Sequence, residues 1–259
     1  MDYDTLIVTE EDSGLAVITL NRPELMNALN TRMRAELRHA LRDLGARARC
    51  VVLTGAGRAF CSGQDLGDGA DATRLDLERV LREEYEPMLR AVYDCPVPVI
   101  AAVNGAAAGA GANLALAADV VIAADSAVFI QAFSRIGLIP DAGGTFWLPR
   151  QIGLARAMGA MLFAERIPAS QAADWGMIWA AVPDTAFKAE WRARAELLAR
   201  GPTVAYRAIR EALHSSVANT LDAQLALEAQ LQGDCGRSRD FREGVLAFLE
   251  KRPATFEGR

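Results

Sequence analysis

The sequence predicts an α/β protein in which buried strands alternate with helices, followed by a C-terminal region of helices alone. A buried strand, a glycine-rich turn, small residues and a helix follow one another twice, around residues 50–66 and 99–119. Strands alternating with helices are typical of α/β folds. From Asp184 the pattern is helical and has no such turns, which predicts helices packed on a finished core. We place the core at residues 1–195 and the helical region at 196–259.

The N-terminal half contains strand-length apolar runs and two helices. Strands are predicted at residues 5–9, 15–20, 50–53 and 99–103. The first helix is capped by Asn30 or Thr31, and its apolar positions recur at helical spacing: Met33, Leu37, Leu41 and Leu44. A polar loop, predicted to be mobile, covers residues 67–76. It leads into a helix over residues 75–93, which Pro96 and Pro98 end.

The second half begins with strands and ends in helices. A third buried strand is predicted at 120–124, a short apolar piece at 127–130 and a last strand at 177–182. Helices are predicted near 144–151, 154–163 and 170–176, with a turn at Ile167-Pro168. Beyond Asp184 the glycines predict breaks at Gly201-Pro202 and near Gly233.

Composition narrows the class of protein. Of 259 residues, 51% are hydrophobic, which is enough for a sizeable core and excludes a disordered chain. The net charge of −5 counts against a nucleic-acid-binding surface. The acidic N-terminus lacks a signal-peptide pattern, so we expect a cytoplasmic protein. Four scattered cysteines lack metal-binding spacing, so we expect no metal.

One long apolar run resembles a membrane span. Residues 97–124 are almost all small or apolar, but Asn104, Gly105, Gly109 and Asp119 interrupt them. A buried strand, a glycine-rich turn and a buried helix explain the run better, and we expect no membrane association.

Asp141 is the strongest catalytic candidate. Apolar residues precede it in the stretch 137–145, Pro140 fixes the backbone before it, and Gly143-Gly144 follows it. Apolar surroundings disfavour the charged carboxylate, so they raise its pKa toward the range useful for proton transfer. The alternative is that Asp141 merely caps the helix that starts near Gly143.

The two glycine-rich turns are candidates for holding an oxyanion. A helix that follows such a turn presents unpaired backbone N–H groups, and small residues at 106–112 permit close approach of a ligand. Close helix–strand packing also needs small residues and is the alternative for either turn alone. Two donors on a carbonyl oxygen with a carboxylate beside the adjacent carbon would suit enolate chemistry.

The sequence lacks the residues that other common catalytic and nucleotide-binding sites require. Phe60 stands where a dinucleotide fingerprint would have its third glycine, and no phosphate-binding Walker motif is present. The two histidines, His39 and His214, lie in predicted helices far from both turns, which argues against a Ser-His-Asp triad or a histidine metal site.

The chain resembles the crotonase, or enoyl-CoA hydratase/isomerase, superfamily. The resemblance rests on LNRPELMNALN, LTGAGRAFCSGQDL, PVIAAVNGAAAGAGANLALAAD, IGLIPDAGGT and AFLEKRPATF, which span nearly the whole chain. It implies a crotonase-like spiral of ββα units, a C-terminal α-helical trimerisation region, and trimers or dimers of trimers. The implied substrate is an acyl-CoA thioester, so we expect no cofactor beyond the coenzyme A that the substrate carries. Gln64 and Ala110 would provide the oxyanion-hole amides. The other substrate-binding positions it implies are Ala28, Ser62, Gly63, Asp65, Leu66, Gly109, Asn113, Phe133, Phe248 and Lys251.

The sequence departs from the hydratases at two positions. Asn113 and Phe133 stand where hydratases of the family carry their catalytic glutamates, whereas Asp141 stands where certain isomerases keep a single working acid. This favours an isomerase in which Asp141 shuttles a proton, acting on a ring epoxide or a double bond in phenylacetyl-CoA-type catabolism. The alternatives are an enoyl-CoA hydratase of fatty-acid oxidation and a non-catalytic binding homologue. In relatives with a similar C-terminal sequence, an aromatic residue and a lysine reach the CoA bound to a neighbouring subunit. The resemblance implies that Phe248 and Lys251 would do the same here.

Overall fold

The computed structural model describes residues 2–67 and 76–259. Most of the predicted 67–76 loop, and the predicted helix start at residue 75, lie outside these ranges. The strands are β1 (Leu6–Glu10), β2 (Leu15–Leu20), β3 (Cys50–Gly55), β4 (Ala59–Cys61), β5 (Val99–Val103), β6 (Ala106–Ala108), β7 (Val120–Ala124), β8 (Val128–Ile130), β9 (Ile167–Pro168) and β10 (Ala180–Val182). The α-helices are α1 (Thr31–Arg47), α2 (Leu77–Val80), α3 (Glu86–Tyr93), α4 (Ala110–Leu116), α5 (Gly144–Phe163), α6 (Ala169–Asp174), α7 (Asp184–Ala199), α8 (Thr203–Ser216), α9 (Leu221–Arg237) and α10 (Arg239–Glu250).

The strands form two sheets that the chain visits alternately. The six-stranded sheet has the order β1-β2-β3-β5-β7-β10, and the four-stranded sheet has the order β4-β6-β8-β9. Three times, a strand of the larger sheet is followed by a strand of the smaller one and then by a helix: β3-β4-α2, β5-β6-α4 and β7-β8-α5. These repeats confirm the predicted α/β spiral of ββα units.

The core lies on both faces of the six-stranded sheet. On one face, α1 buries the predicted stripe that includes Met33 and Leu37, and the Asn30 side chain accepts the Met33 N–H at 2.8 Å as its N-cap. On the other face, α7 buries Phe187 and Trp191 against β2 and β3. Because α7 ends at Ala199, it crosses the predicted boundary between residues 195 and 196. That division into two regions stays a prediction.

Several predicted elements differ in detail. The helix predicted over 75–93 consists of α2, a π-helical turn at Leu81–Tyr85 and α3. The two helices predicted near 144–151 and 154–163 are confirmed as the two halves of α5, because the backbone at Gly153 between them is not helical, with a φ of 77° and a ψ of 161°. The Ile167-Pro168 turn pairs with β8 as the short strand β9.

The break predicted near Gly233 is wrong. Gly233 lies inside α9, which runs from Leu221 to Arg237. A glycine within a helix costs only about 1 kcal/mol, which packing of α9 on α8 can offset. Each of α9 and α10 begins directly after its N-cap residue. The Thr220 side chain accepts the Ala223 N–H at the start of α9, and the Ser238 side chain accepts the Phe241 N–H at the start of α10. The predicted break at Gly201-Pro202 is confirmed between α7 and α8.

The apolar run at residues 97–124 folds as β5, β6, α4 and β7, as the strand–turn–helix interpretation predicts. Over residues 2–67 and 76–259, no helix has both the length and the apolar character needed to cross a membrane.

Candidate active site

The first glycine-rich turn leaves the Gln64 amide pointing away from its neighbour. Leu29 donates its N–H to the Gly63 carbonyl at 2.7 Å and accepts the Asp65 N–H at 3.2 Å. In such a parallel bridge, the N–H of the middle residue faces the opposite side. Within the described chain, the Gln64 N–H has no acceptor. Gly63 reaches this conformation at a φ of 95°, in the region that favours glycine.

The second turn ends at the first residue of α4. Gly109 has a φ of 53° and a ψ of −127°, and its N–H is bonded to the Ile130 carbonyl at 2.8 Å. Ala110 follows as the first helical residue. Its N–H also has no acceptor among residues 2–67 and 76–259, as is usual in the first turn of a helix.

The fold brings the two turns into contact. A Cβ added to Gly63 would lie 2.8 Å from the Ala108 carbonyl oxygen and 3.4 Å from the Ala110 nitrogen. A Cβ on Gly111 would lie 2.3 Å from the Cys61 carbonyl oxygen. Only glycine permits this close approach, which places the free amides of Gln64 and Ala110 in neighbouring turns.

Asp141 lies before α5 without capping it through its side chain. The N-cap of α5 is Gly143, and the Gly144 N–H is bonded to the backbone carbonyl of Asp141 at 2.9 Å. The Asp141 Oδ1 atom is buried and has no hydrogen-bond partner in the described residues. Burial therefore raises the carboxyl pKa to about 6, against a smaller lowering by the residue's own backbone amide. The helix-capping alternative does not account for this side chain.

Asp141 lines a pocket of about 480 Å³ with an aromatic wall. Its lining comes from the π-helical turn and α3 and from residues 139–147. Four rings line it: Tyr85, Tyr93, Phe146 and Trp147. The Trp147 ring centroid is 4.7 Å from that of Phe146 and 5.3 Å from that of Tyr93. Charged side chains on the same wall are exposed: Arg82, Glu86 and Arg90.

A buried polar network holds the Gln64 side chain. Its Oε1 accepts hydrogen bonds from the Tyr85 hydroxyl and, at 3.2 Å, from Arg34 Nη1. Arg34 is 2% exposed and forms an ion pair with Glu84 at 2.6 Å. Because Tyr85 also lines the pocket, the network links the first turn to the pocket wall. Burial raises the Tyr85 pKa further above its usual range, which keeps the hydroxyl protonated as a donor.

Part of the predicted substrate-binding set surrounds the first turn. Arg22 Nη1 donates to the Ala28 carbonyl at 2.7 Å and pairs with Asp65 at 2.8 Å. Ser62 donates its N–H to the Met26 carbonyl. Leu66 is 64% exposed at the end of this segment.

Asn113 and Phe133 lie beneath the second turn. Asn113 has no exposed surface; its Nδ2 donates to the Asp141 carbonyl at 2.8 Å. The Phe133 ring lies 3.7 Å from the position of a Cβ on Gly109. Neither side chain offers a carboxylate to the pocket, and the Asn113 amide is occupied by protein partners.

Phe248 and Lys251 lie elsewhere in the single chain. Phe248, 81% exposed, lines a separate apolar groove of about 920 Å³ between α8, α9 and α10. Lys251 ends α10 with a φ of 54° and is exposed. The structure of one chain does not bring either residue to the Asp141 pocket.

The histidines lie in helices, as predicted. His39 Nδ1 is 2.8 Å from the Tyr3 hydroxyl, and His214 stacks on Tyr93 with ring centroids 4.0 Å apart. In the part of the chain that the structure describes, neither histidine lines the Asp141 pocket, and no group of three or more His, Cys, Asp or Glu side chains is arranged to hold a metal.

Sequence reasoning missed the supporting contacts of the site. The sequence pattern predicts no role for Tyr85 beyond its place in the helix over residues 75–93, and it predicts none for Arg34, Glu84, Gln131 and Trp147. Arg34 and Glu84 are 50 residues apart. A usable signal was the aromatic content of residues 146–147, directly after the Asp141 stretch.

The two-sheet spiral and its two touching glycine-rich turns define a crotonase-type fold. A solved structure from Mycobacterium abscessus, described as a putative enoyl-CoA hydratase/isomerase, superimposes with a TM-score of 0.93 at 39% identity, covering 98% of this chain and 100% of that one. The family model for enoyl-CoA hydratase/isomerase matches residues 10–259. The chain therefore belongs to the enoyl-CoA hydratase/isomerase family.

Two curated relatives carry different activity names. A Rhodobacter capsulatus protein named probable enoyl-CoA hydratase is 68% identical over 100% of both chains. The Escherichia coli 1,2-epoxyphenylacetyl-CoA isomerase is 48% identical over 98% of both chains. These names agree on the family and differ on whether the reaction is hydration or isomerisation.

Proposed function

We propose that this protein is a CoA-thioester isomerase in which Asp141 shuttles a single proton. The observation that carries the proposal is a partly buried carboxylate with a pKa of about 6, placed in an aromatic pocket. Its backbone is tied to the helix that begins at the second glycine-rich turn. A carboxylate with such a pKa is ionised at neutral pH and is a stronger base than an ordinary one.

The proposed reaction starts at the thioester carbonyl. The Gln64 and Ala110 amides donate hydrogen bonds to the carbonyl oxygen, and Asp141 removes a proton from the adjacent carbon. The electron pair of that C–H bond moves into the enolate, whose oxygen the two amides stabilise. For a β,γ-unsaturated thioester, protonated Asp141 then returns the proton to the γ carbon, and the double bond moves into the α,β position. No water is added, and Asp141 ends as it began.

The pocket wall supports an aromatic or ring-derived acyl group. Tyr85, Tyr93, Phe146 and Trp147 offer ring faces and edges, and aromatic pairs gain about 0.5–1.5 kcal/mol beyond burial of their area. The name of the E. coli relative supports a ring epoxide of an aromatic acyl-CoA as the substrate. Double-bond migration in unsaturated acyl-CoAs uses the same proton shuttle.

Hydration is the alternative that the R. capsulatus relative's name favours. Water addition needs a second group to activate the water. The sequence pattern indicates none, but Glu86 lines the same pocket as Asp141. Glu86 is exposed, and it is the group we assign to water activation if hydration occurs.

The C-terminal helices support a trimer that shares its CoA sites. Val245, Phe248 and Leu249 of α10 are 42%, 81% and 70% exposed, and they line the groove beside α8 and α9. A second copy of the chain would bury this stripe. Phe248 would then pack on the adenosine of the neighbour's CoA, and Lys251 would approach its phosphate. The substrate supplies the CoA, and no further cofactor takes part.

The test follows two reactions with purified protein: isomerisation of a β,γ-unsaturated acyl-CoA and hydration of crotonyl-CoA. We expect the first to be catalysed, the second to be negligible, and Asp141→Asn to lower isomerisation by about 10²–10⁴-fold while retaining CoA-ester binding. The same Asp-to-Asn change at exposed Asp125 is the control. Isomerisation by Asp141→Asn above about a tenth of the wild-type rate would exclude Asp141 as the base. Hydration that is lost in Glu86→Gln would establish the alternative.

A further inference from the structure

Two buried amide side chains connect β8 to the backbone of Asp141. Gln131, 1% exposed, follows β8, and its Nε2 donates to Asn113 Oδ1 at 2.8 Å. Asn113, fully buried in α4, donates from Nδ2 to the Asp141 carbonyl oxygen at 2.8 Å. The three residues therefore form one directed chain of hydrogen bonds.

Gln131 and the Asp141 carbonyl together fix which way the Asn113 amide faces. An asparagine side chain can present either its oxygen or its NH₂ group to a neighbour. Because the Gln131 NH₂ group holds Asn113 Oδ1, the Asn113 NH₂ group must face the Asp141 carbonyl. With the opposite orientation, two oxygens would face each other and the Gln131 NH₂ group would lose its acceptor.

Gln131 has an unfavourable free-energy cost of burial, which indicates that its amide is needed for the hydrogen bond to Asn113. Its Oε1 atom is buried and has no partner within residues 2–67 and 76–259. An unsatisfied buried acceptor costs about 1–3 kcal/mol, so an apolar side chain of similar length would be favoured by packing alone. The hydrogen bond from Nε2 to Asn113 is the one polar contact that the Gln131 side chain makes within the described residues.

The turn that carries Asp141 needs to be held. Ala142 has a φ of 48°, in the left-handed region that disfavours a residue with a Cβ, and Gly143 follows at 81°. Strained residues persist where surrounding contacts fix them. The Asp141 carbonyl accepts from both Asn113 Nδ2 and the Gly144 N–H, and a Cβ on Gly144 would lie 2.5 Å from Asn113 Nδ2. α4 and the start of α5 thus meet at this carbonyl.

We propose that Asn113 and Gln131 are positioning residues for proton transfer. Asn113 fixes the backbone from which the Asp141 carboxylate projects into the pocket, and Gln131 acts through Asn113 by fixing the orientation of its amide. The inference rests on the proposed role of Asp141 as the base. It assigns a function to two buried side chains that are not part of the lining of the Asp141 pocket.

The test compares Gln131→Met, Asn113→Leu and the double variant with the wild type. Methionine keeps the length of Gln131 but removes its donor and its unpaired acceptor. We expect kcat for isomerisation to fall about tenfold, the equivalent of one hydrogen bond, with KM within about twofold and Tm unchanged or higher. Asn113→Leu should lower kcat more. The double variant should be no slower than Asn113→Leu, because Gln131 acts only through Asn113.

Three results would overturn the positioning role of Gln131 and Asn113, and a fourth would overturn the proposed function. A wild-type kcat in Gln131→Met overturns the inference, as does an additive loss in the double variant. A parallel loss of Tm and kcat shows a purely structural role and also overturns it. Should Asn113→Leu fail to fold, Gln131→Met decides alone through its kcat, KM and Tm. Asp141→Asn is assayed alongside, with exchange of the substrate's α-proton in D₂O as a second readout. Wild-type rates in that variant overturn the proposed function itself.

Discussion

Replacing Asp141 with Asn should stabilise the protein at neutral pH while abolishing its activity. Burial raises the Asp141 pKa from 3.8 to about 6. At about 1.36 kcal/mol per pKa unit, this difference of about two units corresponds to about 3 kcal/mol. Because the folded pKa is the higher one, the stability that this group contributes is complete below pH 3.8 and is lost as the pH rises through about 6. Asparagine stays neutral and avoids that loss.

The assay measures thermal unfolding of wild type and Asp141→Asn from pH 4.5 to 8 at one protein concentration, since assembly would shift Tm. For a chain of this size, each kcal/mol moves Tm by about 2–4 °C. We expect the variant to melt several degrees higher at pH 8 and the difference to shrink toward pH 4.5. Asp125→Asn makes the same chemical change at an exposed site and should show no such trend. Equal Tm values at pH 8, or a gain that does not change with pH, would refute the reasoning.

Three further outcomes are expected. The kcat/KM for isomerisation should rise about tenfold per pH unit below pH 6 and level off above it, because Asp141 acts in its ionised form; a profile flat from pH 5 to 8 would contradict this. Gly111→Ala should lower kcat and Tm together, because its Cβ would lie 2.3 Å from the Cys61 carbonyl oxygen. Gly236→Ala is the control, because a Cβ at Gly236 would meet no described atom within 4 Å apart from the backbone of its own helix. It should leave kcat unchanged and raise helix stability slightly. Lys251→Ala should raise KM for acyl-CoA at low salt, less so at high salt, with kcat unchanged; an unchanged KM at low salt would exclude its phosphate contact.

Local patterns predicted the larger sheet well. Strands at Leu15–Leu20, Val99–Val103 and Val120–Ala124 have the predicted bounds, because each is a largely apolar run with buried residues on both faces. The smaller sheet was missed, since Ala59–Cys61 and Ala106–Ala108 are three-residue strands inside glycine-rich turns. A run that short shows no periodicity.

The site could be predicted only where its signal is local. Asp141 stands out because its apolar and glycine neighbours adjoin it in sequence, and burial does raise its pKa. The contacts that orient it are not local. Gln131 meets Asn113 across 18 residues, and Asn113 meets the Asp141 carbonyl across 28. Nothing in a single sequence states that two amides will face each other in the core.

The hydrogen bonds of the Asn113 side-chain amide bear on the choice between isomerisation and hydration. A hydratase must hold and activate water beside the substrate, whereas an isomerase returns to one carbon the proton it took from another. Asn113 does not present its amide to the pocket: it is fully buried, its Oδ1 accepts from Gln131 and its Nδ2 donates to the Asp141 carbonyl. Phe133 has no polar atom to offer. Of the described side chains that line the pocket, Glu86 is the only carboxylate besides Asp141, and it is exposed to solvent. A pocket with one partly buried base, and with no buried side chain that could hold a water beside the substrate, favours returning the abstracted proton to another carbon of the substrate. That reaction is isomerisation.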